Sequence, residues 1–546
     1  MLFNTTQQKD QTQRLTFMNK TIRTILAGAI AATTITLAAC TDETHNTFDR
    51  MLVELAAEDA TIDNADWARI TSFIDSHKAK MSEFYNGDSM DTEKVKAYIS
   101  DMFAQRRPPL EIMFTGVGAS NHIKVNFYLE RSGSMTAYDA PQGDGRFKAA
   151  IVKLLNSMPS EGGDGKIFVV NSTITPYPKG LSSFIADNNI FEATKGLGDA
   201  SYTDFARIFD TILNNTSQDD LSILVTDMIY STRAMQGVNP QKVFAEAQGM
   251  TNAVFKTSVK NKAMLVIKMN SSYNGLYYPY NSPSKGLAYN GKRPYYIIVV
   301  GSNANMARLT KDQNYSTFAQ FNNLPGFEQM CLFEAAPIYH PHYSLLLRND
   351  AIRGRFQPVR GQGSQITRIE NMEADSNSGD IRLALAVDLG GMLIDKNTLC
   401  DKNNYEVSSD DPVKICAITP IKRQDITPAE KKYIGSATHI FVLETKKINH
   451  KQEVVIKLRN NLPTWINESS SDDDTNLQAP SFKSTTFALK YLLGGIYDSY
   501  QRNSNGEGFF VIKFLLDYLK KGSFKIFAIY RIIFGIIIIT LLIIRR

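Results

Sequence analysis

Between Phe48 and Ala104, apolar residues recur at helical spacing: Met51, Leu52 and Leu55, then Trp67, Ile70, Phe73 and Ile74. Asp91 stands where it could cap a helix over Lys94 to Phe103. The pattern predicts a helical segment within residues 40–117, broken at Arg106-Arg107-Pro108-Pro109 because consecutive prolines cannot continue a helix. From Ile123 onward, short apolar runs alternate with amphipathic ones: Ile123 to Leu129, Phe147 to Met158, Lys166 to Val170, Tyr202 to Leu213, and Leu221 to Thr226. The rhythm continues through a helix near Gln241 to Val259, strands at Ala263 to Met269 and Tyr295 to Val300, and a helix over Ala304 to Thr310. Parallel strands need crossover connections that helices supply, so residues 118–310 read as an α/β domain with a doubly wound, mostly parallel sheet. The Tyr-rich stretch Tyr273 to Tyr289 reads as a surface hairpin or loop.

Over 317–500 the runs are shorter and β-like, as in Ile381 to Val387, Val413 to Ala417 and His439 to Leu443, which predicts a β-rich domain. Ser469 to Asp474, SSSDDD, reads as a solvated loop. After Gly506-Glu507-Gly508 the chain turns strongly apolar: FFVIKFLLDYL, a basic turn at Lys520-Lys521-Gly522, then 19 residues from Ile526 to Ile544 with only Arg531 charged. The second run is near the roughly 20 residues that cross a bilayer, so 509–546 is expected to be an apolar hairpin or transmembrane segment.

The chain's start reads as an address. Met18 opens MNKTIRTILAGAIAATTITLAAC, with Lys20 and Arg23 before a small, apolar run that ends Leu37-Ala38-Ala39-Cys40. This is the layout of a signal peptide over 18–39, and its ending resembles the lipobox of bacterial lipoproteins, which implies a lipid anchor on Cys40. The acidic Thr41-Asp42-Glu43-Thr44 that follows resembles a surface-export signal and equally suits a solvated tether.

Composition narrows the function classes. With 546 residues, 43% hydrophobic and 21% charged, the chain is globular and long enough for several units. The 60 basic against 55 acidic residues leave a net charge of +5, too small a field to argue for nucleic acid. Four cysteines, Cys40, Cys331, Cys400 and Cys416, show no zinc-ribbon spacing; Cys400 and Cys416 could pair in an oxidising compartment. His340-Pro341-His342 lacks a nearby acidic cluster and reads as a surface strand.

Chemistry concentrates at Glu130-Arg131-Ser132-Gly133-Ser134-Met135, directly after the first strand of the α/β region. Loops at the carboxyl ends of strands form the ligand crevice of open α/β sheets, and hard oxygen donors there suit Mg²⁺ or Mn²⁺. The segment resembles the D-x-S-x-S motif of von Willebrand factor A domains. Thr203, ahead of an amphipathic helix, and Asp227, at the end of a strand, match that family's later positions. The resemblance spans roughly 120–310 and implies a metal site of Glu130, Ser132, Ser134, Thr203 and Asp227 that leaves a coordination position for a partner protein's carboxylate. Glu130 departs from the family's Asp, so the site either reaches a cation through a bridging water or keeps the fold and binds without metal. No nucleophile elbow or Walker loop is present, so the reading is a binding protein and not an enzyme.

Residues 508–546 resemble the C-terminal end of bacterial undecaprenyl-diphosphate phosphatases, but that family's catalytic motifs have no counterpart here, which implies a fusion or frameshift. Three functions follow: an envelope lipoprotein that binds another protein, a phosphatase-related membrane protein, or a structural envelope component. The lipid anchor implies an outer-membrane or cell-surface location if the tail is not native, and the inner membrane if it is. Mass spectrometry of the native protein is expected to show diacylated Cys40 as its first residue; an unmodified peptide running through Cys40 would remove the anchor.

Overall fold

The computed structural model describes residues 43–517, apart from 57–59, 87–88, 107–109, 111, 115–122, 159–164, 218–219, 231–237, 423–425, 447–450 and 507. The signal peptide, Cys40 and the run Ile526 to Ile544 lie outside the described residues. The chain divides into two compact units, the first made of residues up to Ala57 with Asn64–Ile112, and the second essentially Met113 onward.

In the first unit, helices α1 (Glu43–Leu55), α2 (Asn64–Ser76) and α3 (Thr92–Ala104) bury Phe48, Leu52, Ile70, Ile74, Ile99 and Phe103. Phe48 stacks on Phe73 with ring centroids 5.5 Å apart. Asp91 caps α3, its carboxylate accepting from the backbone N–H groups of Glu93 and Lys94 that have no partner inside the helix.

The second unit is built on a seven-stranded sheet: β1 (Lys124–Glu130), β2 (Lys166–Val170), β3 (Ile174–Pro176), β4 (Asp220–Thr226), β5 (Lys262–Tyr277), β6 (Leu287–Ser302) and β7 (Phe327–Phe333). Its spatial order is β7-β5-β6-β4-β1-β2-β3. Only β2, β1 and β4 run parallel to one another; β6 pairs antiparallel with β4 and β5, as do β7 with β5 and β3 with β2. The expected mostly parallel sheet is therefore corrected to a mixed one. A parallel β5–β6 pair would need a long crossover, whereas residues 278–286 form a short connection that can only fold back.

The Tyr-rich stretch forms the hairpin expected of it as one of two alternatives, and only its surface placement is corrected. Strands β5 and β6 pair without a break from Leu287–Tyr277 to Ser302–Lys262, and Tyr273 and Tyr277 are fully buried.

Both faces of the sheet are covered, so its strands alternate between two cores. Leu265, Ile267, Ile297 and Val299 face helices α4 (Arg146–Asn156) and α7 (Asn303–Lys311), while Met264, Val266, Ile298 and Val300 face α5 (Phe205–Asn215) and α6 (Pro240–Phe255). No helix connects β5 to β6, and α8 (Leu489–Asn503), from far along the chain, joins the second face instead. Tyr491 of α8 stacks on Phe244 of α6 at 4.1 Å, and Gly495 lets the two helices approach closely. A Cβ there would lie 2.1 Å from Thr251 Oγ1.

Residues 317–500 do not form a separate body. Strand β7 lies in the main sheet, and the core on one face runs from Phe127 through Leu383 and Val454 to Leu516. The rest of this region forms a four-stranded sheet (Tyr343–Leu345, Ile381–Val387, His439–Thr445, Lys414–Pro420) and a five-stranded one.

The expected apolar hairpin or transmembrane segment is corrected in its first run, while the second run, Ile526 to Ile544, lies outside the described residues. Among the described residues, no helix is long and apolar enough to cross a membrane. Its first apolar run forms the strand Phe510–Asp517, which pairs with Gln452–Leu458 and Arg368–Glu373 in the five-stranded sheet. Phe510, Ile512, Phe514 and Leu516 are buried and Lys513 is exposed, a period of two that belongs to a strand.

Gly494→Ala is expected to raise stability by roughly 0.5–1 kcal/mol, because no atom lies within 4 Å of its added Cβ and alanine favours the helix. Gly495→Ala is expected to lower stability by about 1–3 kcal/mol through overpacking against Thr251. Urea denaturation of the two variants checks both signs.

Candidate functional site

All five residues singled out at the strand ends come together. Glu130 is the last residue of β1, and the ladder continues one residue beyond it through Arg131 N–H to Val170 O at 2.9 Å. Ser132 and Ser134 lie on the following loop. Thr203 arrives on a loop fastened to the end of β2: Asn171 Nδ2 donates to Leu197 O at 3.1 Å, and Asp204 N–H donates to Asn171 O at 3.1 Å. Gly198, at φ +71°, leaves no room for a Cβ beside the Asn171 side chain, which closes that loop tightly. Asp204 then caps α5 by accepting from Arg207 N–H.

Asp227 follows β4 at a sharp turn. Met228 adopts the left-handed conformation at φ 56°, uncommon for a non-glycine residue, and flanking side chains hold it there. Thr226 Oγ1 accepts from Met228 N–H at 2.9 Å, and Asp227 Oδ1 accepts from Ile229 N–H at 3.0 Å.

The two acids are about 99% buried and fully hydrogen-bonded. Glu130 Oε1 accepts from Thr203 Oγ1 at 2.6 Å, and Oε2 accepts from the Thr226 hydroxyl. Asp227 Oδ2 accepts from Ser134 Oγ at 2.6 Å, and Ser134 Oγ lies 3.1 Å from Ser132 Oγ. Burial pushes the Glu130 carboxyl up to about 8, the nearby Asp227 charge adds to the rise, and the hydroxyls oppose it. Asp227 is also raised by burial, against Ser134, the Ile229 N–H and the charge of Arg293.

These residues form the floor of a cavity of about 420 Å³. Tyr202 contributes one wall, and the connection after β5, with Tyr278, Pro283 and Ser284, contributes the other. Tyr278 lies against Gly133, where a Cβ would come within 2.8 Å of its ring. Behind the site, the fully buried Arg293 donates to the backbone carbonyls of Phe482 and Thr485 and lies over the rings of Tyr277 and Phe482 at 4.8 and 4.1 Å. Asp474 completes this layer, accepting from Tyr277 Oη at 2.6 Å and Tyr280 N–H at 3.1 Å. It is 2% exposed, which corrects the solvated-loop reading of SSSDDD at its last residue, and burial raises its carboxyl to about 6.

No protein-family model, curated protein or solved structure matches the chain. The metal-binding expectation is corrected on the site's own geometry. Among the described residues no group of three or more His, Cys, Asp or Glu side chains gathers as a metal site. Glu130 and Asp227 supply only two carboxylates, and each of their four oxygens already accepts a hydrogen bond, from Thr203, Thr226, Ser134 and the Ile229 N–H. The added methylene of Glu also displaces its carboxylate from the motif's position. Cys400 and Cys416 are both free, correcting the pairing considered for them: Cys400 Sγ lies 3.6 Å from His439 Nε2, while Cys416 lies beside Glu444.

Thr226, Tyr278 and Arg293 escape the sequence reading. Thr226 adjoins a motif residue and only the register of β4 turns it toward Glu130, whereas Tyr278 and Arg293 reach the site through the β5–β6 pairing.

Because Glu130 keeps its proton in the folded protein and loses it near 4.5 once unfolded, its burial lowers stability increasingly as pH rises from about 4.5 through 8. Glu130→Gln, a neutral isostere, is expected to flatten that fall in Tm between pH 5 and 8. Glu130→Ala is expected to flatten the same fall and, in addition, to cost about 1–3 kcal/mol near pH 4.5 by leaving buried hydroxyls without their acceptor. Thermal melts across the pH range separate the two.

Proposed function

We propose that the protein is an envelope lipoprotein, held by a lipid on Cys40, that binds another protein through the cavity at the carboxyl ends of β1, β2 and β4. The domain carrying it is read as von Willebrand factor A-like, with the β5–β6 ribbon as a departure from that pattern. One observation carries the reading: segments distant in sequence place Glu130, Ser132, Ser134, Thr203 and Asp227 on the floor of a single open cavity, where α/β sheets bind ligands. Binding is favoured over catalysis because neither serine has a histidine or lysine beside it among the described residues that line the cavity. The Ser134 hydroxyl instead donates to the buried Asp227. In this reading the site works without a metal, using the hydrogen-bonded carboxylates and hydroxyls themselves.

A photo-crosslinking side chain at Ser284, on the cavity rim, is expected to give a discrete protein adduct in cells. Ser201→Trp, which fills the mouth from an exposed position, is expected to abolish the adduct while leaving Tm unchanged. An adduct indifferent to Ser201→Trp, or none at all, would count against the cavity as the binding site.

A further inference from the structure

The hydrogen-bond directions on the cavity floor determine what the floor can receive. Ser134 has one hydroxyl proton and gives it to Asp227 Oδ2, so in the 3.1 Å contact between the two serines Ser132 must be the donor. Thr203 gives its proton to Glu130 Oε1. The three floor hydroxyls thus have their protons committed among themselves or to the carboxyl oxygens, so the floor itself offers an occupant lone pairs, while the hydroxyls of Ser201, Tyr202, Tyr278 and Ser284 stand on the walls and rim. The floor is rich in acceptors and carries the charge of Asp227. Among the described residues that line the cavity there is no Lys, Arg or His to neutralise it, and Arg293 lies behind, committed to the carbonyls of Phe482 and Thr485. The walls differ in character: Tyr202, Tyr278 and Pro283 offer ring faces and apolar edges.

We infer that the occupant is a primary ammonium, presented as a lysine side chain by the partner protein, an inference that rests on the binding reading above. An ammonium has three donors and no acceptor, the complement of this floor, and its aliphatic stem suits walls of tyrosine and proline. A guanidinium is the poorer fit. Its planar fork seeks a bare carboxylate edge, and both oxygens of Glu130 and of Asp227 are already engaged. The floor's acceptors instead come from three separate segments, an arrangement that serves three diverging N–H groups.

The test is saturation-transfer NMR on the full chain in detergent with Nα-acetyl-lysine methylamide as probe. Binding is expected with a Kd on the order of 1 mM. Acetylating the probe's Nε should weaken binding at least tenfold, as should Asp227→Asn and, for a variant that leaves the buried network intact, Ser201→Trp. Equal binding of the acetylated probe, tighter binding of the arginine analogue, or binding only of an aspartate analogue with Mg²⁺ would each overturn the inference. If the Ser284 adduct forms but survives acetylation of the partner's lysines, the ammonium is wrong while protein binding stands; absence of both adduct and saturation transfer sinks both.

Discussion

The antiparallel pairing of residues 262–277 with 287–302 is the constraint on which the rest of the second unit depends. A short connection between two sixteen-residue strands can close only as a hairpin, and the resulting ribbon is longer than the sheet it joins. Its inner half completes the sheet beside β4 and receives β7. Its outer half projects past the carboxyl ends of the parallel strands and brings Tyr278 onto Gly133. One pairing thus sets both the order of the sheet and the wall of the cavity. The missing crossover leaves part of one face without a helix, and α8 supplies it from more than 180 residues downstream.

The same ribbon carries Arg293 into the interior. A buried guanidinium is costly unless its donors are met; here two backbone carbonyls accept from Arg293 Nη1 and two aromatic faces cover the group, while Nε is buried without a partner. Its charge lies near Asp227 and Asp474, and it opposes the rise that burial forces on both carboxyls. The segment around 474–487 is thereby fastened to the ribbon from two sides, by Asp474 on Tyr277 and Tyr280 and by Arg293 on its carbonyls. Four of the five floor side chains are held by a hydrogen bond to another element or to the turn after β4, and Ser132 contacts Ser134 on its own loop.

The five floor residues were legible because each follows a strand or precedes a helix, and the chain announces those places locally. A buried strand shows as an apolar run, and the polar residue that ends it marks the exposed loop. Thr226 was not legible, since one residue decides whether a strand side chain faces the site or the core. The strand at Phe510–Asp517 was misread for a related reason. An apolar run of eight residues is too short to cross a bilayer, but its place ahead of the longer run Ile526 to Ile544 suggests one arm of an apolar hairpin, and only the burial alternation across Lys513 shows a buried strand.

The sequence by itself determined the α/β alternation of the central region, the helical N-terminal segment, the lipobox-like Cys40 motif and the residue types that meet at the strand ends. These are local properties, written in periodicity and in the chemistry of neighbouring residues. Only the tertiary structure decided strand direction in the ribbon, the entry of Phe327–Phe333 into the main sheet, the burial of Asp474 and the hydrogen-bond directions that occupy both carboxylates. Each depends on partners tens to hundreds of residues away, and backbone pairing and desolvation take their sign from what those partners bring.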